Sequence, residues 1–298
     1  MRLRHVVVPV VLSFLVASCT ESTATTTSTS VPTTSSSTSS STTPAAPDLA
    51  PCLAGDQPFA TDGALASGLL NGRQGDAEQV AGLSWTAFEG CERLVVELAT
   101  AGGAPAIEPG GVRAELIRDQ GIIRLRLNDL VTSTAIADRV VERELVDRVY
   151  VVRSLDGDLY VDIHLGSAVL ARASISRSPA AVIVDLQAGG PELEARPAVS
   201  DTAVVVTPTG RSAEYPLLIE GYARTFEATV LLRIRQGNRV EAEEVTSSAD
   251  YLITWGESWR EYRFEVSGGP NGKVDVFVGE DSPEDGTERG AHFTLVVG

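Results

Sequence analysis

Lysine is nearly absent from these 298 residues: Lys273 stands alone, and lysine and arginine together number 24 against 40 acidic residues, for a formal net charge of −16. Nucleic-acid binding needs phosphates neutralised by clustered basic side chains, so that class is excluded, and polyanionic wall polymers are disfavoured for the same reason. Histidine is equally scarce, at three residues, and so is cysteine, at three. That leaves no paired Cys or His motif at zinc-ligand spacing. Long apolar runs are missing too. The longest near the start, Val6 to Val16, is broken only by Pro9 and Ser13, and its roughly 11 residues fall short of the roughly 20 that cross a bilayer as a helix. A G-x-S-x-G nucleophile elbow is absent as well.

What is present begins with that short run. Arg2, Arg4 and His5 precede it and small residues follow, the layout of an export signal over residues 1–18. Val16-Ala17-Ser18-Cys19 resembles the lipobox of bacterial lipoproteins, with Val where Leu is more usual. The resemblance implies that the Cys19 sulfur carries diacylglycerol and becomes the new N-terminus, that further acylation (palmitate) follows, and that the protein sits lipid-anchored on the extracytoplasmic face of the cell membrane. Two acyl chains suffice for stable anchoring. The alternative is an ordinary cleaved signal with Cys19 incidental. Loss of the leader removes Arg2 and Arg4 and no acid, so the remainder is more acidic still. The strong preference for arginine over lysine fits a GC-rich bacterial genome.

Residues 19–50 are almost entirely Ser, Thr, Ala and Pro. Such a segment buries too little surface to offset its ordering entropy and is expected to be a disordered tether. Its root-mean-square reach is roughly 30 Å. It is either a bare spacer or an O-glycosylated stalk. With Cys19 used as anchor, Cys52 and Cys91 remain, and two thiols in an exported chain usually pair. The rival readings are buried free thiols or a metal pair.

From residue 51 onward the periodicity is mostly two, which predicts an all-β fold. Arg93–Leu98, Val112–Ile117, Ile122–Leu127, Ala168–Ile175 and Ala181–Leu186 read as strands, with Arg124 and Arg126 on a solvent face. Val149–Val152 and Leu159–Leu165 flank Asp156-Gly157, a tight-hairpin signal. Val131–Leu145 is either a long loop or a short helix. The sum is a β-sandwich over residues 51–195. Gly90-Cys91-Glu92-Arg93-Leu94-Val95-Val96-Glu97-Leu98 and Ser176-Arg177-Ser178-Pro179-Ala180-Ala181-Val182-Ile183-Val184-Asp185-Leu186 are similar to the opening and closing strands of the AMIN-like branch of the amidase N-terminal domain superfamily. AMIN domains are thought to guide amidases to peptidoglycan. No amidase domain accompanies this one, so the resemblance implies wall binding without hydrolysis.

Residues 200–298 repeat the pattern: Val204–Val206, Leu217–Gly221, Phe226–Ile234, Tyr262–Val266, Val274–Val278 and Phe293–Val297. Short strands at regular spacing predict a second, immunoglobulin-like sandwich, one without cysteine. Gly221-Tyr222-Ala223-Arg224-Thr225-Phe226-Glu227-Ala228, Trp259 with Tyr262, and Asp281-Ser282-Pro283-Glu284-Asp285-Gly286 resemble the C-terminal immunoglobulin-like domain of spore-germination proteins of the germination-protein-M type. Phe226 and Trp259 suit a core and Asp285-Gly286 a hairpin turn; germination itself is not implied.

Candidate chemistry is thin. His164 and His292 lack a second histidine at ligand spacing. Gly268–Val274 mimics a phosphate loop but is one residue short and lacks the final Ser/Thr, so it reads as a turn. Asp281, Glu284, Asp285 and Glu288 offer oxygens for calcium or form a solvated turn. Arg124 with Arg126, and Arg233 with Arg235, either meet ligand carboxylates or form a polar outer face. Trp255, Trp259 and Tyr262 are either a sugar-stacking platform or partly core. A hydrolase would need an acid pair, for example among Asp156, Asp158 and Asp162, and sandwich turns explain those carboxylates without catalysis. No catalytic residue, metal or cofactor is assigned. The expected function is a non-enzymatic envelope lipoprotein that binds peptidoglycan, or else a protein–protein adaptor in an envelope complex.

Overall fold

Alternating apolar residues become strands because each strand shows its two faces to different surroundings. The computed structural model describes residues 51–66, 75–247 and 259–298, apart from the Glu227 side chain. The first half runs β1 (Gly63–Ala64), β2 (Gln79–Phe88), β3 (Cys91–Ala99), β4 (Arg113–Ile117), β5 (Ile122–Arg126), β6 (Ser133–Thr134), β7 (Asp138–Val140), β8 (Val146–Arg153), β9 (Leu159–Leu165), β10 (Val169–Ser176) and β11 (Ala181–Ala188). The second runs β12 (Ala198–Val199), β13 (Ala203–Thr207), β14 (Ser212–Ala213), β15 (Leu217–Ala223), a 3-10 turn Phe226–Ala228, β16 (Thr229–Gln236), β17 (Arg239–Ser247), β18 (Trp259–Val266), β19 (Gly272–Asp281) and β20 (Glu288–Val297). The all-β expectation holds. Residues 131–145 contain β6 and β7 and no helix.

One sheet has the order β10-β11-β3-β2-β6 and another β14-β20-β19-β16-β17. Between them lies a ten-stranded sheet, β1-β4-β5-β9-β8-β18-β15-β13-β12, with β7 also on β8. Its first half closes the first sandwich over Leu94, Val96, Leu125, Val151 and Ile163. Its second half closes the second sandwich over Ile219, Leu232, Phe264, Val276 and Leu295. Two parallel pairs, Trp259 with Val152 and Arg260 with Arg153, make the sheet continuous. A third buried cluster sits at that joint: Ile122, Tyr150, Val152 and Tyr160 from the first half meet Val204, Val206, Tyr222 and Trp259 from the second. Asp48–Gly298 is accordingly one compact unit.

Local chemistry explains the ends and turns. The β8–β9 hairpin turns at Gly157, whose φ of +97° only glycine adopts without strain. Cys52 and Cys91 form the expected disulfide, 39 residues apart, fastening the first described residues to the start of β3. Buried Arg172 on β10 completes that fastening. It donates to the carbonyls of Cys52 (3.0 Å), Ala54 and Gln57 (3.1 Å) and to Asp185. Asp185 also accepts a bidentate pair from Arg93, at 2.6 and 2.9 Å. The two stretches that carry the AMIN-like resemblance are therefore neighbouring antiparallel strands, β3 and β11.

Candidate functional site: the joint and its cleft

The outer face of β5, β9 and β8 is where the fold departs from an ordinary solvated sandwich. Register places Ile122, Arg124 and Arg126 against His164, Asp162 and Tyr160. Arg148, Tyr150 and Val152 lie on the other side of the same three residues. Two-residue alternation with charged members signals a solvent face. Here the second sandwich covers it instead, and all seven residues of β9 are buried. Arg124 is therefore not on a solvent face. Its guanidinium donates to the wholly buried Asp162 at 2.7 and 2.6 Å and stacks 4.5 Å from the Tyr160 ring centroid. Burial pushes the Asp162 carboxyl up, against the pull of Arg124. Asp162 is thus a buried ion-pair partner and not a turn residue, while Asp156 and Asp158 are exposed at the hairpin turn.

Across the joint, His164 Nε2 and the Tyr222 hydroxyl are hydrogen-bonded. Burial, with Arg148 and Arg124 nearby, holds the imidazole down to about 3, so it is neutral across the ordinary pH range. Trp259 is fully buried. Its indole N–H donates to Asp138 at 2.8 Å, and its ring meets Tyr150 edge-on with centroids 5.0 Å apart. Asp138 also accepts from Arg148 at 2.8 Å. The Tyr160 hydroxyl donates to Glu261 at 2.6 Å. Among the described residues the buried Tyr150 hydroxyl makes no well-formed hydrogen bond, and the Arg148 guanidinium is its charged neighbour. Tyr262 belongs to the second core, where its hydroxyl donates to the Val204 carbonyl at 2.9 Å. Trp259 and Tyr262 are thus structural, and no sugar-stacking platform forms from them; Trp255 lies outside the described residues.

Beside this joint a cleft of about 220 Å³ opens between the two sandwiches. Tyr160, Tyr222 and Glu261 line it from within, with Gln120, Arg126 and Arg263 also on its walls. Arg126 is exposed. Among the described residues no carboxylate forms an ion pair with it, and the Tyr160 ring centroid is 6.0 Å away. Arg263 is half-exposed and held to Glu220 only at 3.4 Å. Gln120 Oε1 is buried without a partner. The cleft thus offers guanidinium donors, an amide acceptor and the carboxylates of Glu220 and Glu261 beside aromatic rings, a set suited to a ligand that carries both acceptors and N–H or hydroxyl donors.

The other sequence candidates disperse. Asp281 and Glu288 are opposed residues at the ends of β19 and β20. Arg233 donates to both, at 2.6 and 2.9 Å, and to Glu243, while Arg235 pairs with Glu288. Those carboxylates serve the arginines and do not form a calcium cradle, and Glu284 and Asp285 are exposed in the turn, where Asp285 accepts from the Thr287 N–H and hydroxyl. Arg233 and Arg235 likewise face acids of their own chain. Gly268–Val274 spans the β18–β19 turn and the first residues of β19. His292 is exposed and lies within β20, not before it. Phe226 is not core: in the 3-10 turn the residue is 46% exposed. Among the described residues no three His, Cys, Asp or Glu gather as a metal site, and no helix is long and apolar enough to cross a membrane. Cys19, the leader and the tether lie outside the described residues.

Sequence reasoning missed the joint because its signal is non-local. Tyr160, Asp162 and His164 share one parity on β9, so their polarity mimics exposure. Residues 203–287 match the family model for the immunoglobulin-like domain of bacterial spore germination, a match that covers most of the second sandwich and none of the first. Comparison with curated proteins gives no match, and neither does comparison with solved structures.

Proposed function

We propose that this chain is a non-enzymatic envelope lipoprotein, anchored through lipid on Cys19 at the extracytoplasmic face of the membrane, whose fused sandwiches bind peptidoglycan at the cleft between them. The observation that carries the reading is the cleft itself: among the described residues Arg126 has no ion pair and Gln120 Oε1 no donor, beside Tyr160. Peptidoglycan stem peptides supply carboxylates and amide N–H groups, and its sugars supply faces for an aromatic ring. The Cys52–Cys91 disulfide supports an oxidising compartment. The paired β3 and β11 strands support the AMIN-like reading of the first sandwich, and the superfamily's association with the wall points the same way. A non-catalytic role is supported by the fate of the acid and base candidates: Asp162 is locked to Arg124 and His164 to Tyr222.

Co-sedimentation with purified sacculi tests this. The 48–298 unit carries all three apolar clusters and the disulfide. It should pellet with sacculi, and Arg126→Ala should reduce the pelleted fraction severalfold while leaving the melting temperature in place. A wild-type unit that stays in the supernatant removes the wall-binding reading.

The adaptor reading has its own observation. Strand β17 ends its sheet, pairing only with β16 among the described strands, and exposes Val240 and Val245. An open edge of this kind can accept a partner strand. In-cell crosslinking from β17 that recovers no recurrent protein counts against it.

A further inference from the structure

A groove of about 360 Å³ crosses the outer face of the first sandwich, far in the fold from the joint. Its floor is β11, β3 and β2. Register places Glu97 between Ala181 and Gly82, and Val95 between Ile183 and Ser84. Pro105 rises on one side and Pro179 on the other. Small and apolar residues therefore surround a single acid. Among the described residues Glu97 has no ion pair and no hydrogen bond. Gly82 accounts for its pose: a Cβ there would lie 2.8 Å from Glu97 Oε2, so the absent side chain is what lets the carboxylate lie across β2.

We infer that this groove is the docking point for a lysine or arginine side chain of a protein partner. An aliphatic stem fits walls built from Val95, Pro105, Pro179 and Ile183, and the cationic head meets Glu97, as long basic side chains cover apolar surface while their heads stay polar. The charge of the whole chain favours the same occupant. At −16 it steers a basic polypeptide inward. A wall stem peptide would instead bring its own carboxylates to Glu97. Arginine, whose stem can lie among apolar walls, is one of the residue types enriched at the anchors of larger protein interfaces. This inference is independent of the cleft, and either can fail alone.

The test is a titration of the isotopically labelled 48–298 unit, followed by amide chemical shifts. The probe is the peptide acetyl-Ala-Leu-Lys-Leu-Ala-amide, and its control has norleucine in place of lysine. The lysine peptide should shift the amides of residues 95–99 and 181–183 saturably. The norleucine peptide should bind about two- to fivefold more weakly, the upper part of the range for an exposed ion pair. Glu97→Gln should erase that difference. Gly82→Ala, which displaces the carboxylate while leaving the apolar walls, should reduce it. Equal binding of the two peptides, shifts confined to other residues, or no saturable shift overturns the assignment. So does a muropeptide that moves these amides when the lysine peptide does not. Sacculus binding unaffected by Glu97→Gln separates this result from the fate of the cleft.

Discussion

Acidification should loosen the joint between the sandwiches through one imidazole. His164 is enclosed by Arg148 and Tyr150 from β8, Arg124 from β5 and Tyr222 from β15. A proton on it would place a third cation in that enclosure. Burial first, then Arg148 and Arg124, lowers its pKa from 6.5 to about 3. The unfolded chain accepts the proton near 6.5, whereas the native state refuses it until about 3. Between those values the unfolded state binds more protons, so stability is full above pH 6.5 and falls as pH drops toward 3. The slope is about 1.4 kcal/mol per pH unit, giving a loss of about 2–3 kcal/mol between pH 7 and pH 4.5. Against a total of roughly 5–15 kcal/mol this is large. Urea unfolding at both pH values measures it, in the wild type and in His164→Gln, which keeps a polar side chain but cannot titrate. The variant should start less stable at pH 7 and lose about 2 kcal/mol less on acidification. Carboxylate titrations are common to both proteins and cancel in the comparison. An equal loss in the two would refute the reasoning.

Further outcomes follow from neighbouring groups. Tyr150→Phe removes a buried hydroxyl that makes no well-formed hydrogen bond among the described residues, so stability should hold or rise by up to about 1 kcal/mol, whereas Tyr222→Phe, which breaks a made hydrogen bond, should lower it; melting temperatures of the pair decide this. Reducing the Cys52–Cys91 disulfide should cost about 4 kcal/mol in the chain-entropy account of a loop this long, seen as a lower urea midpoint with reductant present. Trp259→Ala should cost about 3–5 kcal/mol and open the joint, read as faster protease cleavage between residues 189 and 197. Unchanged cleavage there would mean that the indole is not what holds the halves together.

Much of the fold was legible because it is local. The alternation of Ile122–Leu127 and the Asp156-Gly157 turn each follow from a few adjacent residues, and β4–β5 and β8–β9 form where those signals stand. The pairing of Cys52 with Cys91 was legible from scarcity: once Cys19 is set aside, only two thiols remain. What was not legible depends on residues far apart in the chain. Arg124 reads as a solvent residue until Asp162 is opposite it and the second sandwich is above it. Trp259 reads as core of its own domain, yet it fills the joint beside Tyr150, more than a hundred residues earlier. Strand β17 was missed for the opposite reason. Its run Arg239–Ser247 is so rich in glutamate that neither face looks apolar, and the strand lies largely exposed. Arg126 stood out through its alternation with Arg124, but Gln120 carries no motif, and it is the cleft that brings the two together.

The continuous sheet also sets a schedule for biosynthesis. On the proposed export route the first sandwich emerges before Tyr222 and Trp259, and during that interval Ile122, Tyr150, Val152 and Tyr160 have no cover. The wait lasts from the end of β9 at Leu165 until Trp259 has crossed. A half-delivered chain showing that aromatic surface is a substrate for extracytoplasmic chaperones, and truncation before residue 259 should yield aggregates in place of a soluble half.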